Sequence, residues 1–192
     1  FPYRKIHSRH GYHWHHPCHE DMRIDGRVEH ITAWCPHLLV SHHPDPTKSR
    51  GQYMPLLELA VKEDPHCPRN AFYHARELTF YYMWAQAIEA LKKYLDMPEA
   101  TWHHERAYAM RLLGNAHDAL NLDGMPWYRR ATAEAPDTRE VWCDLALACF
   151  RRRSWEECYA AASNALKITE REPVYTADPT CWGSKPHDLL AI

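Results

Sequence analysis

Thr138–Lys167 reads TREVWCDLALACFRRRSWEECYAAASNALK. Trp142, Leu145, Ala146 and Cys149 recur at i, i+3, i+4 and i+7, so they share one face of a helix. Trp155, Cys158, Ala162 and Ala165 do the same in a second helix. Asp137 with Glu140, and Ser154 with Glu157, have the spacing of capping boxes, in which side chains satisfy the orphan backbone N–H groups of a first turn. Arg151-Arg152-Arg153 then falls in a solvated turn at the C-terminal end of the first helix dipole. Small residues stand where two helices of a hairpin must approach closely.

The same order of residues recurs upstream. Ala75 with Ala87, Leu91 and Tyr94 marks one hairpin, Ala109 with Tyr128 and Ala131 a second, and Ala146 with Cys158, Ala162 and Ala165 a third. Ala75 to Ala109 and Ala131 to Ala165 are each 34 residues, while Ala109 to Ala146 and Tyr94 to Ala131 are each 37. The second repeat therefore carries three extra residues, placed near 121–126, where Asp123-Gly124 and Pro126 suit a loop. The pattern resembles the tetratricopeptide repeat, a 34-residue helical hairpin. One hairpin cannot bury its own apolar face, so three should stack into a short right-handed solenoid. An ordinary helical bundle is the rival arrangement.

With 192 residues the chain can bury a sizeable core, and its formal charge of −2 makes no electrostatic case for nucleic acid or an anionic membrane. No apolar run reaches the roughly 20 residues of a membrane span, and no signal peptide opens the chain, which starts at Phe1 as a fragment or processed product would. Seven cysteines (18, 35, 67, 143, 149, 158 and 181) include no C-x-x-C pair and read as reduced thiols of a cytoplasmic protein.

The N-terminal part differs. Ten of the sixteen histidines lie within residues 1–43. Val28–Ile31 and Leu38–Val40, separated by Pro36, read as short strands, and 1–43 as loops with two or three strands. Such a piece cannot close a sheet around its own core. His42 to Pro46 is a break, Met54–Lys62 a short helix, and Asp64-Pro65 with Pro68 its end. Val174–Ile192 mixes Tyr175, Trp182, Pro179, Gly183 and Pro186 and reads as a segment capping the last hairpin.

The densest group of candidate ligands is Trp14-His15-His16-Pro17-Cys18-His19-Glu20, followed by His42-His43. Two or three imidazoles plus a carboxylate suit Zn²⁺ or Mn²⁺, though the spacing is not that of H-E-x-x-H or of a closed zinc site. Ten histidines also make the segment cationic below about pH 6.5. Dinucleotide, P-loop and nucleophile-elbow motifs are absent from the sequence. Phe72, Tyr73, Phe80, Tyr81, Tyr82 and Trp84 read as core and inter-repeat packing before a sugar-stacking platform, with some of them on the concave face.

Taken in order, further motifs resemble a family 2 glycosyltransferase (GT-A fold) followed by tetratricopeptide repeats. Gly11-Tyr12-His13-Trp14 with Pro17-Cys18-His19-Glu20 is similar to that family's G-Y-x-W-x-x-x-V-H-E stretch, with Cys18 where Val is usual. Val40-Ser41-His42 resembles the following I-x-H, Lys48-Ser49-Arg50 with Leu56-Leu57-Glu58 the start of the first helix, and Tyr175–Leu190 the closing segment. The resemblance implies a mainly α chain: 1–50 the C-terminal remnant of a GT-A α/β domain, 51–68 a connecting helix and linker, 69–172 about three tetratricopeptide-like hairpins, and 173–192 the cap. It implies sugar transfer from a nucleotide-sugar donor to a glycan or protein acceptor, with a divalent Mn²⁺ or Mg²⁺ neutralising the departing diphosphate. His19 and His42 would be metal ligands and Glu20 the catalytic base or a partner of those ligands. No D-x-D motif occurs and the nucleotide-binding half is missing, so this chain alone should be inactive.

Two other readings compete. One is a stand-alone tetratricopeptide adaptor whose groove binds a peptide or protein, for which a start codon just before Phe1 would speak. The other is a His-rich metal-binding protein, which would retain stoichiometric Zn²⁺ or Ni²⁺ through dialysis.

Overall fold

The computed structural model describes residues 10–19, 21–24, 26, 37, 41, 43, 45, 47, 49 and 51–191. Seven helices form the body: α1 (Tyr53–Glu63), α2 (Pro68–Phe80), α3 (Trp84–Leu95), α4 (His103–Ala119), α5 (Met125–Glu134), α6 (Arg139–Arg151) and α7 (Trp155–Lys167). A 3-10 turn, Pro179–Trp182, and a short helix α8 (Lys185–Leu190) close the chain. Pro68 opens α2 instead of closing α1, because proline's missing N–H costs nothing in a first turn.

Successive helices pack as antiparallel neighbours, and α2 and α6 also contact α4 across the repeats. The alternate helices lie further apart: among the described residues the backbones of α3, α5 and α7 do not approach one another closely, and α5 meets α7 through the Arg129–Glu157 side-chain pair. The row α2–α4–α6 is therefore the inner, concave side of the stack and the other row the outer side. The register alanines are where the hairpins close: Ala75, Ala87, Ala109, Ala131, Ala146, Ala162 and Ala165 are all fully buried. Leu91, Tyr94, Leu113, Tyr128 and Leu145 fill the spaces between them. Trp155 departs from the sequence pattern; it lies at the edge, 46% exposed, against Phe150.

All three hairpin turns use one device. Tyr82, Asn121 and Arg153 take positive φ, and Met83, Leu122 and Ser154 return backbone N–H bonds of 2.8–3.0 Å to Leu78, His117 and Cys149, closing each first helix with a Schellman motif. The extra residues of the second repeat lengthen α4 to 17 residues, against 13 in α2 and α6, and also lengthen the turn after it, which spans 120–124 where the other hairpins use three residues. The added turn brings Gly114 under the Tyr128 ring, where a Cβ would stand 2.6 Å from Cζ.

The capping boxes are not formed. Neither Thr138, the N-cap of α6, nor Ser154, the N-cap of α7, makes a side-chain cap bond. Glu157 instead forms a two-pronged pair with Arg129 of the preceding repeat, and Glu140 turns inward.

Ahead of α1, the described residues hold one antiparallel hairpin, β1 (Tyr12–His15) paired with β2 (Asp21–Ile24), Tyr12 opposite Ile24 and His15 opposite Asp21. Its loop packs on the helices: Cys18 is buried with Leu57 and Tyr73. This corrects the expected GT-A remnant, which gains no support from the one described hairpin, docked on the first helices. The strands expected at 28–31 and 38–40 lie outside the described residues.

No described helix is long and apolar enough to cross a membrane.

Candidate functional site

The inner side of the stack is not empty. After α7 the chain turns back across it, runs out to α2 at Tyr175, and returns to α6 at Cys181 before entering α8. What holds this strap is a set of polar side chains in the first turns of the inner helices.

Asn70, Glu105 and Glu140 stand 35 residues apart at the starts of α2, α4 and α6, and all three are buried. An acidic residue in a first turn ordinarily faces solvent and complements the helix dipole. Here burial requires a hydrogen-bond partner for each group. Asn70 Nδ2 donates to the Ala60 carbonyl at 3.1 Å and joins α2 to α1. Glu105 accepts from the phenols of Tyr94, at 2.9 Å, and Tyr175. Glu140 accepts from the Trp182 indole at 2.9 Å and the Asp178 backbone N–H at 3.0 Å. Two of the three repeat-related groups therefore bind the strap.

Arginines complete the cradle. Arg139 donates to the carbonyls of Ile168 and Cys181, with its guanidinium 4.0 Å from the Trp182 ring centroid. Arg76 lies over the rings of Tyr73 (4.6 Å) and Tyr175 (6.0 Å). Arg111 pairs with Asp144 at 2.7 Å, and Lys185 reaches Asp144 and Asp178 at 3.7 and 3.6 Å. On the strap's outward arm, Glu172 meets His104 Nε2 at 2.8 Å.

Tyr175 sits at the tip of the excursion. Its ring stacks on Tyr73 (centroids 6.1 Å, planes 22° apart) and meets Trp102 at 5.4 Å. Tyr73 also stacks with His19, 4.2 Å away and nearly parallel, and His19 in turn stacks with Tyr53 at 5.6 Å. A ladder of five rings thus joins the N-terminal hairpin, α1, α2, the strap and the start of α4.

Electrostatics follow from burial. Desolvation pushes the Glu105 carboxyl above its ordinary range, against the bonds from Tyr175 and Tyr94 and the charges of Arg69 and Arg76. Burial and the adjacent Glu105 likewise push the Tyr175 and Tyr94 phenols up, so both stay protonated donors at neutral pH. The Cys181 thiol is raised by the Cys143 thiol beside it and by burial, which makes this pair an apolar contact of strap and α6.

Of the residues singled out from sequence, Glu20 and His42 lie outside the described residues. His19 is described, as a stacking element whose carbonyl accepts from Arg69 at 2.8 and 3.2 Å. Among the described residues one group has metal-ligand spacing, His103, His104 and Asp137, with ligand atoms within 4.8 Å of one another. Both His104 nitrogens are already engaged, Nδ1 with Thr138 Oγ1 at 2.9 Å and Nε2 with Glu172, so an ion would have to displace one of them. Sequence reasoning missed Glu105 and took Glu140 for a cap. The 35-residue spacing of buried polar groups at helix starts was the available signal.

No protein-family model matches this chain, and no curated protein sequence does. Solved structures do. The chain is similar to "MamA RS-1 ArsTM double mutant" at 15% identity and a TM-score of 0.53, over 62% of this chain and 65% of that one. It is also similar to "MamA MSR-1 C2" at 18% identity and a TM-score of 0.50, over 62% and 66%. The chain thus spans less than two thirds of either structure. MamA is a tetratricopeptide-repeat protein, and the likeness overturns the glycosyltransferase reading; the divalent ion and nucleotide-sugar rested on that resemblance alone. What the likeness establishes is the fold, a stack of tetratricopeptide-like helical hairpins.

Proposed function

We propose that this chain is a protein–protein interaction adaptor whose inner groove receives a peptide segment of a partner. The observation that carries the reading is the way the groove already holds a peptide: Glu105 and Glu140, buried and repeat-related, accept from the side chains and backbone of an irregular strap. A surface that satisfies buried carboxylates with donors from a separate segment is built for recognition, because those carboxylates are costly when left without donors. The fold supports the reading as well, since helical-hairpin stacks present extended concave surfaces.

The test is capture of peptides from a random-sequence array by the full chain, repeated with Glu140→Gln and Arg139→Ala and with an outer-row control, Lys92→Ala. Sequence-selective capture that weakens with the two inner variants and survives Lys92→Ala is the expected result. No selective capture, or capture indifferent to the inner variants, would overturn the reading.

A further inference from the structure

We propose that the pocket under Tyr175 is a tyrosine-recognition subsite, filled in cis by the chain's own strap and open in trans to a partner segment that presents a tyrosine. The inference rests on the adaptor reading and deepens it by naming the chemistry of the partner.

The pocket is made by Phe72, Tyr73, Arg76, Trp102 and Glu105, from α2, the N-cap of α4 and α4 itself. Its walls are aromatic faces and a guanidinium, which suit a planar ring. Its floor is a buried carboxylate, which asks for a hydroxyl donor. Phenylalanine would satisfy the walls and leave the floor short of a donor. A phosphorylated tyrosine would set its charge against Glu105. The shape and chemistry together select an unmodified phenol, and the strap supplies one.

The tip is a turn, closed by the Ala177 N–H on the Val174 carbonyl at 3.2 Å with Thr176 buried beside Tyr175, and no helix or sheet pairing holds it. The run 169–173 before it and Pro179-Thr180 after it are exposed, and 171–174 carry no regular structure. Beyond the tip the chain is secured separately, with Leu189 of α8 buried in the α6–α7 core. Tyr175 can therefore leave its pocket as a local event while both ends of the strap stay docked. A partner tyrosine competes with a tethered residue of the same chemistry, so affinity in trans is set by how often the pocket is vacated.

The experiment uses the full chain and a fluorescein-labelled peptide of the strap sequence, REPVYTADPTCWG (171–183). Binding is followed by fluorescence anisotropy to wild type, Tyr175→Ala and Tyr175→Phe, each checked for native helicity by circular dichroism. The peptide should bind Tyr175→Ala saturably and at least about tenfold more tightly than wild type, the vacancy replacing a tethered competitor. On that variant, the same peptide with Phe or phosphotyrosine in place of its tyrosine should bind about tenfold more weakly or not at all, for want of the bond to Glu105. Tyr175→Phe, which keeps the ring but not the donor, guards against a folding defect in the alanine variant and should fall between the two. Equal binding by wild type and the folded variants, or no loss with the phenylalanine peptide, overturns the subsite. If array capture succeeds while the strap peptide fails, the subsite falls and the adaptor reading stands; if neither binds, both fall.

Discussion

Glu105 on α4 accepts a hydrogen bond from the hydroxyl of Tyr175, seventy residues further along the chain. This one bond ties the strap's tip to the middle of the stack. It also supplies a second donor to a carboxylate that burial alone would disfavour. Tyr175→Phe removes the donor and keeps the ring contacts with Tyr73 and Trp102. A hydrogen bond to a charged group contributes about 1.5–3 kcal/mol, so urea unfolding of the full chain should show a loss of that size. A change within about 0.3 kcal/mol of wild type would mean that Glu105 is satisfied without the strap.

The same carboxyl gives a pH signature. Burial raises its folded value above the ordinary 4.5. For a group shifted upward, the stability it contributes is whole below the unfolded value and is lost as pH rises through the folded one. Glu105→Gln does not titrate there and should gain on wild type as pH rises. The stability of the variant minus that of wild type should therefore increase from about pH 4 to pH 7 in urea titrations. A difference that stays flat across that range would contradict burial as the dominant influence on Glu105.

The helical part of this architecture was legible because it is periodic and local. Ala75, Ala109, Ala146 and Ala165 announce themselves by spacing, and each is where two helices touch. The extra residues of the second repeat were also visible, but a count of spacing cannot tell a loop from an added helical turn. The strap was legible only as a mixture of aromatics and prolines. Its destination depends on pairings such as Tyr175 with Glu105 and Trp182 with Glu140, for which no local signal exists. Glu140 shows why local rules mislead here: three residues after an Asp, at a helix start, it has the spacing of a cap, and only burial by a distant segment gives it other partners. The glycosyltransferase reading failed differently. It rested on short motifs matched in order, and motifs of a few residues carry no information on which layers they belong to.

Two ion pairs should differ widely in worth. Arg111 and Asp144 have side chains 8% and 14% exposed, and Lys185 leans on the same carboxylate. Asp144→Ala strands a buried guanidinium and should cost about 3–5 kcal/mol. Arg129 and Glu157 lie in the open, and Glu157→Gln should cost less than about 1 kcal/mol, further reduced by salt. Chemical unfolding of both variants at low and high ionic strength checks the pair. Equal effects would show that burial does not separate them.

Gly114 tests the packing of the lengthened α4. Alanine is the better helix former by about 1 kcal/mol, so on propensity alone Gly114→Ala would stabilise. Its methyl would meet the Tyr128 ring at 2.6–2.9 Å, and that ring is 2% exposed and held by Asn115 and Asp118. Overpacking should outweigh propensity and leave the variant less stable by about 1–3 kcal/mol in thermal or urea unfolding. A stabilised variant would show that Tyr128 can move aside.

Glu140 separates a helix cap from a strap anchor in one measurement. As a cap, its loss would loosen the first turn of α6 and nothing else. As an anchor, its loss leaves the Asp178 N–H and the Trp182 indole without their acceptor. Glu140→Gln keeps one oxygen but replaces the other by a donor and removes the charge that strengthens both bonds. Native-state hydrogen exchange should therefore speed up at the Asp178 amide by about tenfold or more, with α7 amides unchanged. Exchange that accelerates in the first turn of α6 while Asp178 keeps its protection would return Glu140 to the role its spacing suggested, and would remove one of the two carboxylates on which the groove's claim to bind a peptide rests.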